Sequence, residues 1–435
     1  MSKKTKTLND VAWEQLFEHF DILNIIDRDG RFEITATEIK KISNREARLM
    51  AKFDHKINLP KIFADNNLSI LPLTRGNYVI SHFEAFYQFE SSNSEINQVP
   101  LPSYIQSLDV NNITSETVAL NCAVATGIIA EFLQDEDLVP TVSGRMGSGT
   151  FDFKIINSKI NQPCEVTVNK AQIEIDAAYE GVQGLALFEV KRDLAEDFLI
   201  RQLYYPFKAW KNRVSKPVRT IFLVYSNGIY RFFEYKFQDE NDYNSLVLIN
   251  QKNYTVEEDI EIKTTDIENI LKRVKIKAEP KVPFPQADRF ERVINICELL
   301  NEVILNRHEI TEQYAFDARQ TNYYTDAARY LGLLKQTVQG RPPAYCLSDE
   351  GKKTLNLSYK QRQLAYCELI LSQRPFKEVL QKYFDTGEFP TNDEIIDIMK
   401  NSNLYNVKAE STFKRRASTV RGWVNWIIDL ITEDI

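Results

Sequence analysis

Between residues 96 and 278 the spacing of hydrophobic residues alternates between a helical and a strand-like period. A long helical stretch comes first, followed by three strand-like runs, a second helix and two further strands. The turn Ser226-Asn227-Gly228 separates the last two strands. The predicted helices cover residues 115–135 and 193–205, and the predicted strands cover 151–156, 165–178, 185–191, 220–225 and 230–237. We therefore predict a mixed α/β layer with one sheet.

The two ends of the chain have different patterns. Residues 1–95 combine a helical stretch at 10–26 and a helix start at Thr35 with an alternating run at 68–89. Residues 279–286 begin with three prolines in seven positions, which predicts a linker, and residues 287–435 are mostly helical in pattern. With 435 residues the chain is long enough for several domains, and these boundaries are the ones we expect.

Composition narrows the class of protein. With 43% hydrophobic and 26% charged residues, the chain is expected to fold in water, and no apolar run is long enough to suggest a membrane span. Five scattered cysteines without CxxC spacing favour a reducing, cytoplasmic location. The net charge of -7 does not favour a polyanionic partner. Acidic residues cluster between positions 238 and 268, however, so basic surfaces remain elsewhere.

The segment with candidate chemistry is a predicted hairpin spanning residues 172–191. A turn centred on residues 182 and 183 places Asp176 across from Glu189 and Glu174 across from Lys191, all on one face. The opposite face is apolar and consists of Ile173, Ile175, Ala177, Ala186, Phe188 and Val190.

Two neighbouring carboxylates repel each other unless a cation lies between them, and oxygen ligands of this kind suit Mg²⁺. A lysine beside them can orient an attacking water or stabilise charge on a phosphate. The structural alternative is an exposed sheet face with a cross-strand Glu-Lys pair. The pattern Asp-x(n)-Glu-x-Lys does not by itself decide between these interpretations.

The order of elements around this hairpin, over residues 115–237, resembles the PD-(D/E)XK nuclease superfamily. The resemblance implies an α/β (α+β) nuclease core with a mixed sheet. It also implies that Asp176 is the metal-binding aspartate, Glu189 the second acidic ligand and Lys191 the catalytic lysine. The sequence departs from the family pattern at Ile175, where the family name has proline.

Three further residues are candidates for this site. Gln202, in a helix that resembles the glutamine-and-tyrosine helix of such nucleases, would position water or a phosphate. Arg145, in the predicted glycine-rich loop 143–150, would contact DNA. Glu131 would supply an additional metal ligand from the long helix. Each also has a structural interpretation, as a surface glutamine, part of a flexible turn or a solvated glutamate.

The flanking regions are predicted to recognise DNA. Helices followed by a hairpin in residues 1–95 suggest a winged-helix-like module, and a plain α+β lobe explains the same pattern equally well. In the C-terminal region, helices at 310–313 and 319–333 followed by a wing at 340–348 resemble the winged helices appended to restriction enzymes. The residues suited to base or phosphate contact in the second helix are Arg319, Gln320, Asn322 and Arg329.

A second basic segment lies near the C-terminus, at residues 410–423. Its four cations suit phosphate contact, although a solvated charged face gives the same pattern. These cations are Lys414, Arg415, Arg416 and Arg421.

Together these features predict a type II restriction endonuclease that hydrolyses double-stranded DNA with Mg²⁺. Because paired cuts often use two protomers, we expect a homodimer. A modification-dependent or repair nuclease with the same core is an alternative, and a non-catalytic winged-helix regulator is a second one. The four histidines show no zinc-site or HNH-like spacing, and neither a nucleophile elbow nor a dinucleotide fingerprint occurs.

Overall fold

The computed structural model describes residues 6–90, 95–337 and 343–432. The chain forms two compact units. Unit 1 contains residues 1–97, 127–225 and 230–254, and unit 2 contains residues 98–126, 226–229 and 255–435. The predicted N-terminal region therefore belongs to the same unit as most of the predicted central region. Within the described ranges, no helix is long and apolar enough to cross a membrane.

The first part of unit 1 is a helical lobe with a small sheet. Its core contains Trp13, Phe17 and Phe63, whose rings pack edge to face. Three of its strands form an antiparallel sheet of order β1-β3-β2. The elements up to residue 98 are α1 (Leu8–Phe20), α2 (Ile22–Asp29), β1 (Phe32–Thr35), α3 (Ala36–Ser43), α4 (Ala47–Ala51), α5 (Lys61–Asp65), β2 (Ser69–Pro72), β3 (Asn77–Ser81), β4 (Phe86–Gln88) and β5 (Ile96–Gln98).

Local chemistry explains the boundaries of these helices. The predicted helix 10–26 is two helices, because Asp21 adopts a left-handed conformation (φ 53°) that ends α1. The predicted start at Thr35 is confirmed: its hydroxyl accepts from the amide of Glu38, and the Glu38 carboxylate accepts from the amide of Thr35.

The next segment forms a seven-stranded mixed sheet of order β5-β14-β13-β12-β10-β9-β6. Strand β10 pairs antiparallel with β9 and parallel with β12, so the sheet is mixed as predicted. Strands β7 and β8 form a separate antiparallel ribbon. These elements are α6 (Glu116–Ala125), α7 (Ile128–Leu133), β6 (Val139–Gly147), β7 (Thr150–Asn157), β8 (Gln162–Asn169), β9 (Gln172–Glu180), β10 (Leu185–Lys191), β11 (Asp197–Leu199), α8 (Arg201–Lys211), β12 (Val218–Ser226), β13 (Ile229–Phe237) and β14 (Leu246–Thr255).

Several predicted elements in this segment are wrong in extent. The long helix 115–135 is broken at Gly127 (φ 79°), and the predicted strand 165–178 is broken at Lys170 (φ 55°). Helix α8 begins at Arg201, because the preceding residues pair with β4 through β11 instead of continuing the helix. The predicted glycine-rich loop is mostly strand β6, with a turn at Gly149 (φ 78°).

Aromatic side chains pack helix α8 against the ribbon of β7 and β8. Tyr204 and Tyr205 of α8 are buried against Phe151 and Phe153 of the ribbon. This cluster covers one face of the sheet and fixes α8 directly after β10 and β11.

Unit 2 is mainly helical. Its small antiparallel sheet has the order β15-β17-β16 and follows helices α11 and α12 in the chain. The helix predicted to open at 310–313 in fact begins at Arg307, and the following predicted helix is confirmed as α12. The elements are α9 (Thr264–Arg273), α10 (Phe290–Leu299), β15 (Leu305–Asn306), α11 (Arg307–Gln313), α12 (Ala318–Tyr330), β16 (Leu334–Thr337), β17 (Ala344–Leu347), α13 (Asp349–Leu355), α14 (Tyr359–Leu371), α15 (Arg374–Thr386), α16 (Asn392–Lys400) and α17 (Glu410–Asp429).

The predicted wing and linker have different outcomes. Residues 340–342 of the wing lie outside the described residues, and its second half is strand β17. The proline-rich segment 279–286 has no helix or strand, as its prolines predict, but it is not a free linker. Phe284 is fully buried in the core of unit 2, and Glu279 accepts hydrogen bonds from Tyr330 and from the backbone of Tyr405.

Candidate functional site

The hairpin of β9 and β10 has the register predicted from the sequence. Its pairs run from Leu185 with Glu180 to Phe188 with Ala177. Beyond Ala177 the ladder opens, and Asp176 Oδ2 accepts a hydrogen bond of 2.8 Å from the backbone amide of Val190. The residues of the predicted apolar face are buried, but Leu185, Leu187 and Glu189 on the other face of β10 are buried too, so burial does not alternate along that strand. Asp176 therefore lies beside Glu189 where the two strands separate.

The tip of this hairpin is anchored by a buried carboxylate. Asp135 accepts hydrogen bonds from the amides of Val182 (3.0 Å) and Gln183 (2.9 Å). A Cβ at Gly181 would lie within 2.7 Å of three atoms of the Asp135 carboxyl group, so glycine is required at that position. These contacts fix the register of the strands that carry the candidate residues.

Glu189 is the centre of the site. Its side chain is buried, with 8% of the residue exposed. Oε1 of Glu189 accepts from Lys191 Nζ at 2.5 Å and from Gln202 Nε2 at 2.5 Å. The structure therefore brings together Asp176, Glu189, Lys191 and Gln202, the four residues predicted to be catalytic.

The electrostatics of Glu189 reflect this crowding. Burial, together with the charges of Asp176 and Asp54, raises the pKa of Glu189 to about 7 against the lowering effect of Lys191. The carboxylate is thus held among negative groups with one ammonium beside it. A cation at this position would stabilise its ionised form.

The N-terminal lobe contributes a residue that the sequence gave no reason to select. The charge of Asp54 contributes to the raised pKa of Glu189. Asp54 precedes the hairpin by more than 100 residues, and no local motif marks it. Long-range contacts hold this part of the chain to the segment after Lys191, among them the hydrogen bond from the amide of Leu199 to the carbonyl of Asp54.

A buried histidine joins the same lobe to the segment that follows Lys191. His55 is 4% exposed. Its Nδ1 lies 2.6 Å from the backbone oxygen of Asp197, and its Nε2 lies 3.5 Å from Asp193 Oδ2. Burial lowers the pKa of His55, but the carboxylate of Asp193, the carbonyl of Asp197 and the charge of Asp54 raise it above the ordinary value overall.

Two predicted site residues lie elsewhere in unit 1. The carboxylate of Glu131 is bound by Lys252 at 2.7 Å and by the hydroxyl of Tyr254, so the structure does not bring Glu131 to Asp176 and Glu189. Arg145 belongs to strand β6, where its Nε lies 3.3 Å from Glu174 Oε1. The predicted loop position of Arg145 is therefore wrong, and its guanidinium remains half exposed.

The predicted residues of α12 are divided between exposed and internal positions. Arg319 is exposed and donates to the hydroxyl of Tyr323 at 2.7 Å, and Asn322 is partly exposed on the same helix. Arg329 pairs with Asp326 at 2.8 Å, and Gln320 accepts from Arg292. Arg319 is thus the most accessible of the four to a ligand.

The predicted cations of α17 also differ in their surroundings. Lys414 and Arg415 are exposed. Arg421 donates to the carbonyl of Pro390 at 2.8 Å and stacks on the ring of Phe389, which gives it a structural contact. Two guanidinium nitrogens of Arg416 are buried and have no hydrogen-bond partner among residues 6–90, 95–337 and 343–432.

The donor atoms of the site can be compared with the needs of Mg²⁺. In the part of the chain that the structure describes, no group of three or more His, Cys, Asp or Glu residues is arranged to hold a metal ion. Mg²⁺, however, is commonly bound by one or two carboxylates, with water and substrate phosphate completing its octahedral shell. Asp176 and Glu189 meet that smaller requirement.

An unsatisfied oxygen atom near these carboxylates adds to the fit. Oε1 of Gln202, whose Nε2 donates to Glu189, is buried and has no hydrogen-bond partner in the described residues. Gln202 also lines a pocket with Glu174 and Glu189, whose volume of about 10 Å³ is close to that needed by one water molecule. The site therefore contains polar atoms suited to bound water or a hydrated cation.

The chain is similar to three families, each described as a domain of unknown function. DUF6996 matches residues 10–80, DUF6997 matches residues 81–255 and DUF7226 matches residues 292–432. No curated protein and no solved structure matches the chain. The four predicted catalytic residues lie in the DUF6997 match, and Asp54 lies in the DUF6996 match.

Proposed function

We propose that this protein is a Mg²⁺-dependent endonuclease that hydrolyses phosphodiester bonds of double-stranded DNA. The observation that carries the proposal is the grouping of Asp176, Glu189 and Lys191 where strands β9 and β10 separate. A carboxylate pair with a neighbouring ammonium suits the binding of a divalent cation next to an anionic substrate.

The order of elements around the site supports the same conclusion. Helix α7 and strand β6 are followed, after the β7-β8 ribbon, by β9, β10, helix α8 and the parallel strand β12. This is the order of helix, three-strand meander, helix and strand that the PD-(D/E)XK resemblance implies. The ribbon is an insertion between the first and second strands of that core.

Each residue has a distinct proposed role. Asp176 and Glu189 hold Mg²⁺, which when bound acts as a Lewis acid towards a phosphate oxygen. Lys191 orients the attacking water and stabilises the negative charge that develops on the phosphate. Gln202 fixes the Glu189 carboxylate through its hydrogen bond to Oε1. Water adds to phosphorus, the bond to the leaving oxygen breaks, and that oxygen takes up a proton.

The flanking regions supply surfaces for DNA. In unit 2, α10, β15, α11, α12, β16 and β17 follow the order of a winged helix, with Arg319 exposed and Asn322 partly exposed on α12. Lys414 and Arg415 on α17 add positive charge that can contact phosphates. In unit 1, the helices and the β1-β3-β2 sheet of the N-terminal lobe have a similar order. Recognition modules of this kind favour a sequence-specific restriction endonuclease, acting on duplex DNA as a homodimer.

Digestion of unmethylated phage DNA tests the proposal. The purified protein is incubated with the DNA with and without Mg²⁺, beside D176N and the control D152N, which changes an exposed aspartate on β7. We expect discrete fragments with a common terminal sequence from the wild type and D152N with Mg²⁺, and intact DNA from D176N.

Other outcomes assign the protein to the alternatives. Cleavage confined to methylated phage DNA would make it a modification-dependent nuclease. Binding of DNA without cleavage, with or without Mg²⁺, would overturn the nuclease proposal and favour a regulator.

A further inference from the structure

The turn that joins β6 to β7 is bound by two segments that each bring a cation to it. From the segment before β9, the backbone amide of Lys170 donates to the carbonyl of Gly149 at 2.8 Å. From the segment after α8, Arg213 Nη2 donates to the carbonyl of Gly147 at 3.3 Å. Lys170 and Arg213 therefore lie at the same turn of unit 1.

The N-terminal lobe adds a third cation next to this turn. The carbonyl of Leu73 accepts from the backbone amide of Asn169 at 2.8 Å. Leu73 opens the turn between β2 and β3, which also contains Arg75. The hydrogen bond thus places the turn with Arg75 against the residue that precedes Lys170.

These side chains are available to an anionic partner. Arg75, Lys170 and Arg213 are exposed, and none of the three has an ion pair among residues 6–90, 95–337 and 343–432. Arg145, two residues before the turn, is half exposed and lies 3.3 Å from Glu174. We call Arg75, Arg145, Lys170 and Arg213 the basic patch. It concentrates positive charge on a chain whose net charge is -7.

The two elements that hold the candidate site both lead to the basic patch. Strand β9 runs about 13 Å from Asp176 to Gln172, which pairs with Gly147. Helix α8 runs about 14 Å from Gln202 to its end, which comes just before Arg213. The patch and the carboxylates are thus separated by a distance that spans about four base pairs of duplex DNA.

We propose that the basic patch binds the phosphate backbone of the duplex that is cut at Asp176 and Glu189. The proposal rests on the proposed function and extends it, because it assigns the path of the DNA across unit 1 and gives the N-terminal lobe a part in binding. Single strands are held mainly by stacking on aromatic rings. Trp210, the ring beside Arg213, is already covered by that guanidinium at 5.3 Å, which favours a duplex.

Fluorescence anisotropy with a labelled mixed-sequence duplex tests the proposal. Binding is measured without Mg²⁺ at several salt concentrations for the wild type and R75Q/K170N/R213Q. Asparagine replaces Lys170 because that residue has a left-handed backbone (φ 55°), which asparagine tolerates. We expect the slope of log affinity against log salt concentration to fall by about 3, since each lost phosphate contact lowers it by about 1.

Two further variants serve as controls. K41Q/R48Q/K236Q also removes three exposed cations of unit 1 and is expected to keep the wild-type slope. R75Q alone removes a side chain that has no hydrogen bond in the part of the chain that the structure describes, and it should lower the slope by about 1. Circular dichroism checks the folding of each variant.

Three results would overturn the proposal. The slope and affinity of R75Q/K170N/R213Q could equal those of the wild type, or the control triple variant could show the same loss. Weaker binding of a labelled single strand with unchanged binding of the duplex would assign the patch to single-stranded nucleic acid. If R75Q/K170N/R213Q does not fold, a folded R75Q with the wild-type slope contradicts the proposal.

Cleavage of phage DNA by the same proteins distinguishes failure of this proposal from failure of the proposed function. A wild type that cuts, with both triple variants equal to it in DNA binding, refutes the basic patch alone. A wild type that binds the duplex but does not cut refutes the nuclease, while the comparison of the triple variants still decides the role of the patch. A wild type that does not bind the duplex overturns both.

Discussion

Nζ of Lys191 lies 2.5 Å from Oε1 of Glu189, two residues earlier on strand β10. Residues two apart on a strand point to the same face, so this pair follows from the strand itself. Its burial comes from the rest of the fold, because β10 is enclosed by β9, β12 and helix α8. Residues whose pKa values are shifted by burial and by a specific charged partner are common at functional sites.

Substitution of the two charged residues that flank Glu189 is expected to abolish cleavage without unfolding the protein. D176N and K191M each lower the single-turnover cleavage rate by about 10² to 10⁴-fold, since their roles are chemical. D152N is the control, because Asp152 is exposed on strand β7, where its carboxylate accepts from the hydroxyl of Thr167. Unfolded D176N or K191M by circular dichroism, or full activity in either, would contradict these roles.

The charge of His55 makes stability depend on pH. Its folded-state pKa is raised, so the stabilising contact with Asp193 and Asp197 is complete below the unfolded pKa of about 6.5 and is lost as pH rises through the folded value. Urea denaturation of wild type and H55Q from pH 5.5 to 9 should show a stability difference that is largest at low pH. A difference independent of pH would mean that His55 stabilises the lobe only by packing.

The anchor at the hairpin tip is expected to be important for stability. D135A leaves the amides of Val182 and Gln183 without their acceptor, which costs about 1–3 kcal/mol in total because both hydrogen bonds are only partly buried. D135N retains one acceptor oxygen and should lose less. Thermal or urea unfolding measures both, with D137N, an exposed aspartate of the same loop, as the control. Equal stability of D135A and D137N would refute the anchor.

Two arginines of helix α17 should separate DNA binding from stability. R415A removes an exposed cation and lowers the slope of log affinity against log salt concentration by about 1, with stability nearly unchanged. R421A removes the contacts with Pro390 and Phe389 and lowers the unfolding free energy by about 1–2 kcal/mol, leaving the salt slope intact. Filter binding to duplex DNA at several salt concentrations tests the first effect and urea denaturation the second. A salt slope altered by R421A and not by R415A would assign phosphate contact to the wrong residue.

Local sequence information predicted the elements that short-range chemistry defines. The register of the β9-β10 hairpin followed from alternation and from a tip bounded by Gly181 and Gly184, and the start of α3 followed from Thr35 and Glu38. In each case the interacting groups are close in sequence. The position of the turn and the two-residue period of side chains along a strand were enough to predict that Asp176 lies across from Glu189.

The predictions that depended on long-range contacts were less accurate. Helix α8 begins later than predicted because the residues before it pair with β4, more than 100 positions upstream. Glu131 has a carboxylate of the kind that binds metal ions. Lys252 and Tyr254, on a strand distant in sequence, donate hydrogen bonds to that carboxylate instead. Hydrophobic spacing contains no information about such partners.

The sequence by itself thus determined which residues of the hairpin share a face and that a carboxylate pair and a lysine stand together on it. The tertiary structure decided that Glu189 is buried and that Gln202 binds it. The physical reason is that a strand's alternation is a property of the local backbone. The burial of Glu189 and the presence of side chains from distant segments beside it depend on how those segments pack together.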